Sequence, residues 1–128
     1  EAYGKGWPRG QVSTRQMVDL MNRAVITLGI GETADPRLLS LKGRDFEAPM
    51  AGAFYVTQYN PELAEHYELG AEIETWVDTD HLGELCRYYL DNRDEAERIR
   101  HAGARRARAC HTWRRRFEDA LAVLGATA

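Results

Sequence analysis

A chain of 128 residues with a net charge of −3, 44% hydrophobic and 29% charged, has the composition of an ordinary globular domain. It is long enough for a single core and short for a complete two-domain enzyme, so it is expected to form a single domain over residues 1–128. No apolar run approaches the roughly 20 residues a membrane-spanning helix needs, and no signal peptide is visible.

In chain order, Tyr3-Gly4-Lys5-Gly6-Trp7 reads as a strand end followed by a Gly-rich turn. The first residue is Glu1 rather than Met, and the chain enters partway through an α/β unit, so a piece of a longer protein is expected. Ser13 with Gln16 three residues on is a capping box, and Met17, Leu20, Met21 and Ala24 then share one helical face. Residues 24–30 form a short, mostly apolar, β-branched run that suits a strand buried on both faces. Gly31 to Gly43, containing Pro36, is a loop of functional length.

A short helix follows around Glu47, then a second strand over 53–57, a short helix over 61–67 with Pro61 near its first turn, and a third strand over 71–77. Asp78 caps a helix whose stripe is Leu82, Leu85, Cys86, Tyr89 and Leu90. Asn92 and Thr112 start two more helices, the last burying Trp113, Phe117, Leu121 and Leu124, in part against a surface outside this chain. Strands separated by helices, without hairpin signals, predict a three-layer α/β sandwich: a parallel sheet with helices on both faces and a helical C-terminal third.

The residues with most chemical content lie between Leu41 and Val56. A helix opens at Lys42-Gly43-Arg44, carries Glu47 in its first turn, ends on the small corner Ala51-Gly52 and runs into a strand. Helix N-terminal amides, cations and a carboxylate at the edge of an α/β sheet suit a sugar phosphate. This segment resembles the donor-binding stretch of B-type glycosyltransferases, built from two facing Rossmann-like domains, and most closely those similar to spore-maturation-protein glycosyltransferases. The resemblance extends to Tyr3-Gly4 and to the His111-Thr112-Trp113 helix start.

The resemblance implies a C-terminal, Rossmann-like, donor-binding domain whose N-terminal acceptor-binding partner domain is missing from this chain. It implies transfer of a hexose from a nucleotide-diphosphate sugar, with Glu47 holding the ribose hydroxyls and no metal, no cofactor beyond the sugar-nucleotide substrate and no catalytic residue in this part. Arg44 and Lys42 would neutralise the diphosphate, Gly43 would let the backbone come close, the loop starting at Gly31 would approach phosphates and sugar, and the Gln11-Val12 turn would meet the base. Many members carry another glutamate eight positions before the ribose glutamate; here that position is Leu39, which leaves the grip on the sugar and the stereochemistry open.

Each of these residues also has a plainer reading. Glu47 is a first-turn carboxylate favoured by the helix dipole by about 0.3–1 kcal/mol. Lys42 and Arg44 are solvated charges, Val12 is a hydrophobic staple for the helix capped by Ser13, and Gly29-Ile30-Gly31 is a lone Gly-x-Gly. Cys86 and Cys110 have no metal-ligand spacing and read as reduced, buried thiols of a cytoplasmic protein. His66, His81, His101 and His111 share no spacing, and Cys110-His111 is given no role. The arginines from Arg105 to Arg116 are interleaved with acids in an acidic chain, so a solvated or docking face is expected rather than a nucleic-acid surface. The alternative function is a non-catalytic α/β interaction module that has lost donor binding; a dinucleotide oxidoreductase would need a Gly-x-Gly-x-x-Gly fingerprint, which is absent.

Overall fold

The computed structural model describes residues 11–35 and 38–125; the strand end and turn expected over Tyr3–Trp7 lie outside them. Three parallel strands, β1 (Thr27–Gly29), β2 (Tyr55–Gln58) and β3 (Glu74–Trp76), pair in that order, with Thr27 opposite Tyr55 and Val56 opposite Glu74. Each lies inside the run expected for it or within a residue of it, trimmed where the pairing ends.

Among the described residues five α-helices accompany the sheet: α1 (Thr14–Arg23), α2 (Arg44–Ala51), α3 (Thr79–Asp91), α4 (Arg93–Cys110) and α5 (Trp113–Val123), with a 3-10 turn at Pro61–Glu65. The capping box of α1 is complete: Ser13 Oγ accepts the Gln16 amide at 3.3 Å, and Gln16 Oε1 accepts the Ser13 amide at 2.9 Å. Asp78 caps α3 by accepting the His81 amide at 2.8 Å, and Thr112 caps α5 through the Arg115 amide at 3.3 Å. α2 ends because Gly52 adopts φ 93°, a left-handed conformation that favours glycine and turns the chain into β2.

β2 shows why the architecture has three layers. Tyr55 sinks into a cluster with Met21, Phe46, Leu63 and Ile73, whereas its neighbours Phe54 and Val56 join Trp76, Tyr89 and Ile99 in a second cluster. Successive strand residues point to opposite faces, so both faces of the sheet are covered, as the unbroken apolar strand runs require. α4 serves both clusters, placing Ala96 and Ile99 in one and Ala107 in the other.

Two expectations need correction. α5 buries none of its residues: Trp113 is 64% exposed and Phe117 62%, and Leu121 and Leu124 are exposed too. Its apolar stripe has the right spacing, but no element among the described residues covers it. Cys110 is exposed and Cys86 half-buried, so neither thiol is fully buried; both are free. The loop that starts at Gly31 is pinched at its base. Glu32 bridges antiparallel to Leu39, and the Ser40 amide donates to the Gly31 carbonyl at 3.0 Å.

Candidate functional site

The carboxyl edge of the sheet is tied together by side chains. The Trp76 indole N–H, on β3, reaches the Gly29 carbonyl of β1 at 3.3 Å, and the Gly31 amide donates to Gln58 Oε1 at the end of β2 at 3.2 Å. The chain leaves β1 here, makes the pinched loop, and enters α2, which runs back toward the start of β2. The amino end of α2 therefore stands beside the carboxyl ends of the strands, where ligands gather in open α/β sheets.

Asp45 fixes that helix end. It is 4% exposed and accepts three hydrogen bonds, from the Lys42 amide at 2.6 Å, the Tyr55 hydroxyl at 2.8 Å and the Thr57 hydroxyl at 3.3 Å. One carboxylate thus ties the residue ahead of the helix to its first turn and bolts that turn to β2. Burial pushes the Tyr55 phenol well above its ordinary range, and the nearby Asp45 charge adds to that, so Tyr55 is a permanent donor. The amides of Gly43 and Arg44 have no hydrogen-bond partner among the described residues. They are the orphan donors of a helix start, and they carry the positive end of its dipole.

Glu47 is exposed one turn in and stands between two cavities. The first, about 210 Å³, is lined by Leu41, Lys42, Gly43, Phe46, Glu47 and Met50 from the α2 side and by His111, Trp113 and Arg116 from the α4–α5 junction. The second, about 440 Å³, runs toward the start of α1 and is bordered by Thr14, Met17 and Val18. Lys42, Gly43 and Glu47 are thus brought together. Arg44 is exposed and Gly31 buried, and neither lines these cavities; Gln11 and Val12 are exposed just before Thr14.

Sequence reasoning missed the far wall. His111, given no role, sits in an aromatic group with Phe46 and Tyr67, at ring-centroid distances of 5.2 and 5.0 Å, and its Nε2 lies 3.0 Å from the His66 carbonyl oxygen. Arg116 lies over the Phe46 ring at 4.2 Å. The available signal was His111-Thr112-Trp113 followed by arginines at the head of a capped helix; only the fold shows that it faces Glu47. Among the described residues no group of three or more His, Cys, Asp or Glu could hold a metal ion.

His66, half-buried beside this group, has its imidazole held below the ordinary value of 6.5, by burial first and then by His111 and Arg116. The unfolded chain takes up the proton near that value while the folded ring resists it. The contribution to stability is therefore intact above that pH and is lost as pH falls through it. We expect a lower melting temperature at about pH 5 than at about pH 7.5, with a smaller difference in His66→Gln. An unchanged difference in the variant would remove His66 as a cause.

A parallel sheet covered by helices on both faces, with a cavity at the amino end of α2, defines a Rossmann-like α/β domain. The chain belongs to the glycosyl transferase-like family, whose model matches residues 1–122, and this supports a general role in glycosyl transfer. No curated protein and no solved structure gives a significant match. No helix among the described residues is long and apolar enough to cross a membrane.

Proposed function

We propose that this chain is the C-terminal, donor-binding portion of a B-type glycosyltransferase, similar to the spore-maturation-protein-like subgroup, and that it holds a nucleotide-diphosphate sugar across Glu47. The observation that carries the reading is the position of Glu47, exposed in the first turn of α2 and bordering two cavities. A carboxylate has two acceptor oxygens and can chelate the adjacent hydroxyls of a ribose. From there the base extends toward Thr14 and the Gln11-Val12 turn, and the diphosphate toward Lys42 and the free amides of Gly43 and Arg44.

In this reading the chain's own contribution is electrostatic. Transfer breaks the bond between the sugar carbon and the diphosphate oxygen, leaving charge on the diphosphate. Orphan amides and a lysine already in place stabilise that charge without reorganising. The acceptor, and the base that deprotonates it, belong to an N-terminal domain outside this chain. The two free cysteines fit a reducing cytoplasmic compartment, where activated sugars are used.

The test is a titration of the chain with a panel of UDP-, GDP- and TDP-sugars. Glu47→Gln keeps the shape and loses the charge-assisted hydrogen bonds, worth about 1.5–3 kcal/mol, so affinity should fall about ten- to a hundredfold with the fold intact by circular dichroism. Unchanged affinity in the variant would sink the role of Glu47. Failure of the whole panel to bind would favour the interaction-module alternative, for which Leu39 in place of a second glutamate speaks.

A further inference from the structure

We propose that Arg116, set beside His111 on the α4–α5 junction, forms the anion-holding wall of the Glu47 cavity and takes the diphosphate of a nucleoside-diphosphate ligand. The inference rests on the donor-site reading above and adds a part of the site that sequence reasoning left without a role.

The first ground is the uncommitted charge of Arg116. Arg115 pairs with Asp119 at 3.4 Å and Arg106 with Glu72 at 2.9 Å, whereas Arg114, unpaired among the described residues, is exposed to solvent. Arg116 makes no ion pair among the described residues, although it is only half-exposed. Its guanidinium is instead held 4.2 Å over the face of Phe46, one residue before Glu47. A cation–π contact of this kind takes up no carboxylate or carbonyl acceptor, so N–H donors of the guanidinium remain for a forked contact with phosphate oxygens.

The second ground is His111. A carbonyl oxygen can only accept, so the 3.0 Å contact with the His66 carbonyl places the proton on His111 Nε2 and fixes the ring. Nδ1 is then a lone-pair acceptor, suited to a ligand hydroxyl, so the fixed ring shapes this wall and the anion falls to Arg116.

The third ground is the cavity's own polarity. Both residues line the 210 Å³ space together with Lys42, Gly43 and Glu47. That volume is below the usual range for a whole ligand pocket, so it receives part of a ligand that continues elsewhere. Glu47 repels phosphate and attracts hydroxyls, whereas Arg116 and Lys42 do the reverse. The arrangement orients the ligand as well as holding it. In a half-buried setting the Arg116 charge acts through less water than the exposed Arg44 does.

The experiment compares UDP, GDP and TDP with the corresponding free nucleosides, by calorimetric titration of the wild-type chain and of Arg116→Gln. For whichever diphosphate binds, the variant should lose at least about tenfold in affinity while nucleoside binding stays unchanged. Equal diphosphate affinity in the two proteins, or an equal loss for the nucleoside, overturns the inference and leaves the Glu47 reading standing. Wild type that binds none of the ligands overturns the donor-site reading and this one with it. Should Arg116→Gln fail to fold, the Arg116 Nε–H resonance of the wild type, assigned through its own backbone amide, must shift with the diphosphate and not with the nucleoside. No shift rules the contact out.

Discussion

Replacing Asp45 by Ala should destabilise the protein by about 3–5 kcal/mol, the largest loss expected from a single substitution here. The carboxylate is buried and accepts from the Lys42 amide and from the hydroxyls of Tyr55 and Thr57, both of which are nearly inaccessible. Removing the acceptor strands the two hydroxyls without water and releases the Lys42 amide. Each buried donor left unpaired costs about 1–3 kcal/mol. Urea denaturation measures the difference, since the midpoint shifts with stability at constant slope. A loss under about 1 kcal/mol would mean that water replaces the carboxylate, contrary to the burial of this corner.

The second large effect is a reversal of sign between two glycines in helices. Glycine to alanine inside a helix normally stabilises by about 0.8–1 kcal/mol. Gly83→Ala in α3 should follow that rule, because a Cβ there meets only the tip of the Arg87 side chain, 3.5 Å away. Gly103→Ala in α4 should instead destabilise by about 2–3 kcal/mol, because its Cβ would overlap the backbone carbonyl of Glu72, and backbone cannot step aside as a side chain can. Paired thermal melts decide the matter. Two variants moving in the same direction would show that α4 and the chain before β3 can separate at little cost.

Much of this fold is legible in the sequence because its signals are local. The Ser13–Gln16 capping box, Asp78 before α3 and the apolar runs around β1, β2 and β3 each depend on residues a few positions apart. Glu47 could be singled out for the same reason: its helix, its Ala51-Gly52 corner and the following strand are contiguous. Asp45 could not, because the bonds that give it its role cross to Tyr55 and Thr57 on another element. The same limit hid His111 and Arg116, which reach the Glu47 cavity from more than sixty residues downstream. For α5 the sequence does predict an apolar stripe resting in part on a surface outside this chain, and only the extent of its exposure escapes, because periodicity shows that a stripe exists and says nothing of what covers it.

α4 also acts as a gauge for the thickness of the domain. Of its five buried positions, Ala96, Ile99, Gly103 and Ala107 follow one another at intervals of three or four residues and so form one continuous stripe, with Ala104 beside it. Yet the first two lie under one face of the sheet and the last under the other, with Gly103 pressed against Glu72 just before β3 begins. At about 1.5 Å of rise per residue, the stretch from Ile99 to Ala107 covers roughly 12 Å, close to the ~10 Å that separates packed layers. The number of residues between those two positions is therefore fixed by geometry. One residue more or fewer would swing the far half of the helix by about 100° and carry His111 and the start of α5 away from Glu47, although no residue of the site had been changed.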